Sequence, residues 1–150
     1  MAVPKNVQEA KGLWKGTSSL NRSWLAEGKR VSESPSRLHV DANDAYATIH
    51  YTWAVDGKAQ EGTMLVAMDE KSKAVEIGWS DTWHQSSGVM HLTGTGDDAV
   101  RTKGTFRAGE ETWGWTIDLA FADGFMSLTM ANVTPKGVAE WAVRATYRRE

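Results

Sequence analysis

The chain has 150 residues and a near-balanced charge, with 17 Lys and Arg against 19 Asp and Glu for a net of −2. That length fits one domain spanning 1–150, and the absence of a basic surplus argues against nucleic acid as a partner. There is no cysteine, which removes disulfides, thiol nucleophiles and thiolate metal sites and suits a cytoplasmic setting. No apolar run is long enough to span a bilayer, and the first residues lack the apolar stretch of a signal peptide, so neither a membrane nor export is expected.

In chain order, residues 5–11 allow one short helical turn and everything after them has a period of two. Segment 45–53 alternates large apolar with mostly polar residues, as does 112–119, the pattern of strands with one buried and one wet face. Turn residues punctuate the rest. Asp56-Gly57 and Asp123-Gly124 are hairpin pairs that tolerate positive φ, and further turns are expected at 41–44, 69–72, 94–98, 108–110 and 135–137. Between them lie ten candidate strands, near 12–20, 33–41, 45–54, 60–69, 73–81, 87–94, 98–107, 111–121, 125–133 and 138–149. Ten sequential antiparallel strands leave exposed edges unless they close, so the expected fold is all-β, a ten-stranded antiparallel up-and-down barrel. A two-sheet sandwich is the alternative.

Gly12-Leu13-Trp14 at the start of the first strand and Arg144-Ala145-Thr146-Tyr147-Arg148-Arg149 at the end of the last resemble the calycin superfamily, which holds lipocalins, fatty-acid-binding proteins and bacterial relatives of unknown function. The resemblance covers nearly the whole chain and implies that a terminal basic residue covers the Trp14 indole at the closed end of the barrel. Arg148 and Arg149 both qualify. Two features depart from fatty-acid-binding proteins: segment 21–31 is too short for their helical lid, and the Arg-x-Tyr that holds a fatty carboxylate is absent, because Ala145 stands two places before Tyr147.

Alternation assigns an apolar interior rich in tryptophan and methionine, with Ser18, Ser34, Ser36, Tyr51, Thr102 and Tyr147 as polar handles. Small residues on the first, second and seventh strands, Gly104 and Ser36 among them, leave room for a cavity; a barrel filled solid by its aromatic residues is the alternative. The ligand-binding candidates are Tyr51, Trp53, Trp79, Trp113, Trp115, Trp141 and Tyr147 in the interior, with Trp83 and His84 at the rim. His84 lies in the 80–87 connection, which shares the open end with the 21–32 loop and Trp24. His39, His50 and His91 point outward. No histidine spacing suits a metal, Asp81, His84 and Ser86–Ser87 are close only in sequence, and no buried carboxylate pair is expected.

The leading expectation is a non-catalytic barrel that binds an apolar or aromatic small molecule, with no cofactor. The nitrobindin type of haem-binding barrel shares the strand count but needs an axial histidine near the chain's end, and no histidine follows His91. An enzyme using Tyr51 or Tyr147 as a general acid and a barrel without any ligand are the remaining alternatives.

Overall fold

The computed structural model describes residues 2–85, 88–96 and 98–150. Met1, Ser86, Ser87 and Asp97 lie outside the described residues, and with them part of the expected 80–87 mouth loop and of the 94–98 turn. One short helix, α1 (Lys5–Glu9), precedes ten strands: β1 (Gly12–Asn21), β2 (Val31–Ala42), β3 (Ala47–Val55), β4 (Lys58–Met68), β5 (Ala74–Asp81), β6 (Met90–Thr95), β7 (Val100–Ala108), β8 (Glu111–Ala122), β9 (Phe125–Val133) and β10 (Ala139–Arg149). Each pairs antiparallel with its neighbour in sequence, and β1 pairs with β10 to close the barrel. This is the expected up-and-down barrel of lipocalin-like form, and closure removes every sheet edge. Among the described residues no helix is long and apolar enough to cross a membrane.

Local chemistry explains the path. The β3–β4 and β8–β9 hairpins turn on Asp56-Gly57 and Asp123-Gly124, with φ of 51° and 75° in the first pair and 53° and 79° in the second. These are the left-handed values that two-residue turns of matching twist require. Along the strands, burial alternates residue by residue, so Leu38, Val40, Ile49, Met64, Val66, Ile77, Leu92, Ile117 and Leu128 meet in one core.

At the closed end Trp14 is wholly buried. Its Nε1–H donates to the Ala10 carbonyl at 2.8 Å, Phe121 meets it edge-on, and the Arg149 guanidinium lies 4.5 Å above its ring. Arg149 also donates to the Glu9 and Lys11 carbonyls and so ties α1 across the base. Arg149 therefore covers the indole, while Arg148 points outward over Phe125 at 4.6 Å.

Two expectations about the interior are corrected. Trp141 is not an interior residue. A β-bulge shifts the β9–β10 register between Trp141 and Val143, which turns the indole to the outer face beneath the Arg144 guanidinium, 4.2 Å away. The Asn21 side chain donates to the Trp141 carbonyl at 2.8 Å and holds the bulge. Two of the small residues, Gly16 and Gly104, do not leave a cavity beside them. A β-carbon on Gly16 would stand 1.8 Å from the Thr146 carbonyl oxygen, and one on Gly104 would stand 2.7 Å from that of His91. Glycine at these places lets strands close up.

Candidate functional site

The open end is organised by one carboxylate. Val75, Ile77 and Trp79 face inward along β5, and the next inward position is Asp81, the last residue of the strand, only 2% exposed. Its Oδ1 accepts the backbone N–H groups of Trp83 at 2.8 Å and His84 at 2.9 Å, and the Gln85 N–H reaches the Asp81 carbonyl at 2.9 Å. An aspartate side chain that caps the amides two and three residues on in this way nucleates a tight turn. This turn folds His84 back into the barrel mouth, where its side chain is 9% exposed.

Five donors converge on Asp81. His84 Nδ1 stands 3.2 Å from Oδ1, while the Tyr51 hydroxyl at 2.6 Å and Trp53 Nε1 at 3.3 Å share Oδ2 with the two backbone amides completing the set on Oδ1. Burial alone would raise the carboxyl. The hydrogen bond and charge of His84, with the Tyr51 hydroxyl and the turn amides, outweigh it and hold Asp81 below its ordinary value. An ionised carboxylate facing Nδ1 keeps a proton on that nitrogen and fixes the orientation of the ring. His84 Nε2 is buried and has no hydrogen-bond partner among the described residues; neither has Trp115 Nε1.

Tyr51 reaches Asp81 across β4. Tyr51 pairs with Gly62 and Gly62 with Asp81, so the three lie in one cross-strand row on the inner face. The Tyr51 ring crosses the bare glycine, whose β-carbon would stand 2.2 Å from the ring and the hydroxyl. The hydroxyl in turn accepts from Trp79 Nε1 at 2.9 Å. Burial first, then the Asp81 charge, push the Tyr51 phenol well above its ordinary value. Tyr147 builds a second bridge of the same kind. It faces Ser36 across Gly16 of β1, and because the Ser36 hydroxyl donates to the Thr52 carbonyl at 2.7 Å, Tyr147 is the donor in the 2.8 Å contact between the two hydroxyls. Burial pushes Tyr147 up to about 12. Both phenols are therefore poor proton donors to a substrate, which weakens the general-acid reading of either.

The His84 ring is caged by indoles, with centroids 4.8 Å from Trp83, 5.3 Å from Trp115, 5.5 Å from Trp53 and 5.9 Å from Trp79. Above the cage, Trp24 of the 21–31 connection stacks on Trp83 at 6.1 Å. Arg22, bonded to Asp56 at 3.1 Å and to the Lys29 carbonyl at 3.1 Å, pins that connection to the β3–β4 turn. Beside His84 runs a narrow cleft lined by Ser18, Leu20, Tyr51, Trp53, Leu128 and Tyr147, with Asp81, Met130 and Val143. Its free room is about that of a single water molecule.

Of the candidate residues, the fold brings Tyr51, Trp53, Trp79, Trp83, His84 and Trp115 into one cluster, with Tyr147 across the cleft. Trp113 stands apart at the rim, half-buried and stacked on Phe106 at 6.4 Å, and Trp141 is outside the barrel. His39, His50 and His91 are exposed, as expected. Sequence reasoning missed Asp81. The alternation of β5, carried two residues past Trp79, points to it.

The molecule is thus a small barrel with a filled interior and a polar anchor at its mouth. No protein-family profile and no curated protein matches the sequence. A solved structure does: the crystal structure of Rv2717c from M. tuberculosis superposes with a TM-score of 0.64 over 99% of both chains at 12% identity. At that identity the likeness is one of fold.

Proposed function

We propose that this chain is a calycin-type binding barrel, working in the cytoplasm, that takes a small aromatic molecule at its mouth and does no chemistry on it. The observation that carries the reading is His84 Nε2, a polar atom buried against an apolar cleft with no hydrogen-bond partner among the described residues. An unmet polar group in a buried place costs about 1–3 kcal/mol, and a ligand that meets it recovers that cost. The surrounding indoles supply flat apolar walls, the usual lining of a small-molecule site. As it stands the cleft admits about one water, so a single-ring ligand enters only when Trp24 and Trp83 part and the side chains of the lining move aside.

A haem reading finds no fit. His84 does offer an inward imidazole, which the sequence did not suggest, but four indoles enclose that ring and the adjacent cleft has no space for a macrocycle.

Titration of the purified chain with toluene and with phenol, followed by tryptophan emission, tests the binding reading. A saturable change is expected with at least one of the two. It should vanish in Leu128→Phe, which adds bulk to the cleft, provided that variant keeps its circular dichroism spectrum. No saturable change with either probe would end the proposal.

A further inference from the structure

Three indoles form a continuous run from solvent to the buried carboxylate. Trp24 is 66% exposed and stacks on Trp83 at 6.1 Å, and Trp83 meets Trp53 edge-on at 5.8 Å. These are spacings of rings in contact, and an electron passes readily between aromatic rings that touch. At the inner end Trp53 and Tyr51 share one oxygen. Trp53 Nε1 stands 3.3 Å and the Tyr51 hydroxyl 2.6 Å from Asp81 Oδ2. Where an electron vacancy settles depends on which ring can shed a proton, because an oxidised phenol is a strong acid and an oxidised indole a weaker one. Trp115 Nε1 has no hydrogen-bond partner among the described residues, and Trp79 Nε1 donates to the neutral Tyr51 hydroxyl. Tyr147 donates to the Ser36 hydroxyl, which is itself committed to the Thr52 carbonyl. None of those acceptors is a base. Tyr51 donates over a short bond to an ionised carboxylate, with both groups buried away from water.

We propose that Trp24, Trp83, Trp53 and Tyr51 form a relay that takes one-electron oxidising equivalents from an oxyradical in solvent and stores them on Tyr51. The oxidant, such as a carbonate radical that becomes carbonate, gains one electron from Trp24. Trp83 refills Trp24, Trp53 refills Trp83, and Tyr51 refills Trp53. As Tyr51 gives up its electron, its hydroxyl proton crosses to Asp81 Oδ2, which leaves a neutral phenoxyl radical beside a neutral carboxylic acid. One electron from a small reductant of the ascorbate class, returned along the same rings, draws the proton back from Asp81 and restores the starting state. The relay needs no occupant in the cleft and stands apart from the binding reading.

Pulse radiolysis with the azide radical, a one-electron oxidant selective for indoles, tests the relay on the full chain carrying Tyr46→Phe, which removes the exposed tyrosine. The tryptophanyl absorption is expected to decay as the tyrosyl absorption rises, at a rate that does not change with protein concentration. Nor should the rate change with buffer concentration, since the proton passes to Asp81 and not to solvent. Adding Trp24→Phe keeps a ring over Trp83 but takes away the oxidisable one at the surface, and the tyrosyl product should be largely lost. Adding Tyr51→Phe instead should abolish that product and leave the tryptophanyl radicals long-lived. If that variant does not fold, the buffer dependence in the parent chain makes the same decision, because a phenol without a base beside it must release its proton to solvent. No tyrosyl radical, a rate that rises with protein or buffer concentration, or an undiminished tyrosyl yield in Trp24→Phe or Tyr51→Phe would each overturn the relay.

Discussion

Gly62 shows how much rests on a missing side chain. Tyr51 leaves β3, lies across Gly62 of β4 and ends on Asp81 of β5, so the glycine is the only residue type that leaves the ring its path. A methyl group there would overlap the ring and hydroxyl at 2.2 Å. Gly62→Ala must therefore push Tyr51 aside and break its bonds to both Asp81 and Trp79. Tyr51→Phe removes the same hydroxyl without disturbing the ring. Overpacking adds typically about 1–3 kcal/mol to the loss of a buried hydrogen bond, which is itself about 1–3 kcal/mol. Gly62→Ala should thus unfold at lower denaturant than Tyr51→Phe, by about 1–3 kcal/mol in chemical denaturation. Equal stability of the two variants would show that the ring has another place to go. Trp14 is the corresponding residue at the closed end, where α1, Phe121 and Arg149 converge on one indole.

At the scale of elements, the strands are not equally secured. Seven residue pairs join β1 to β10, whereas β6 and β7 are joined by three, Thr93 to Lys103, Gly94 to Thr102 and Thr95 to Arg101. The three lie toward the closed end, so Met90, His91 and Leu92 at the mouth are held to the sheet through β5. Native-state hydrogen exchange should therefore find the amides of β6 and of the 81–85 turn opening well before those of β1, β9 and β10, since local openings follow local ladder and contact density. Uniform protection of β6 and β10 would contradict this.

The same elements show what the sequence could and could not announce. All ten strands and both Asp-Gly hairpins were legible, because alternation and turn chemistry are local signals carried by neighbouring residues. Trp141 was misplaced because a bulge inserts one residue and inverts parity from there on, and the Asn21 hydrogen bond that holds it comes from the far end of the chain. The cluster of Tyr51, Trp53 and Trp79 was legible as inward-facing. The turn that folds His84 back was not, since the loop after the strand carries no alternation, although the alternation of β5 itself runs through to Asp81. Register, which brings Tyr51, Gly62 and Asp81 into one row, depends on pairing between strands and on no residue alone.

For the molecule as a whole, the two tyrosine bridges act as internal struts. One joins β3 to β5 over Gly62, the other joins β10 to β2 over Gly16, and the second spans the closing seam of the barrel. Both phenols are raised in the folded state by burial, Tyr147 to about 12 and Tyr51 well above its ordinary value, whereas in the unfolded chain each titrates near 10. The stability they confer is therefore complete below pH ~10 and is lost as pH rises from there through the folded values, because the unfolded chain releases protons that the folded barrel keeps. For Tyr147 alone the difference amounts to about 3 kcal/mol. Thermal unfolding followed from pH 8 to 12 should give a midpoint that is steady at first and falls steeply above pH ~10. Tyr147→Phe, which cannot ionise, should start lower at pH 8 by the loss of the Ser36 bond and fall less steeply above pH ~10. Parallel curves for the variant and the parent would show that Tyr147 already ionises freely in the folded barrel, and that the seam is wet where the structure has it closed.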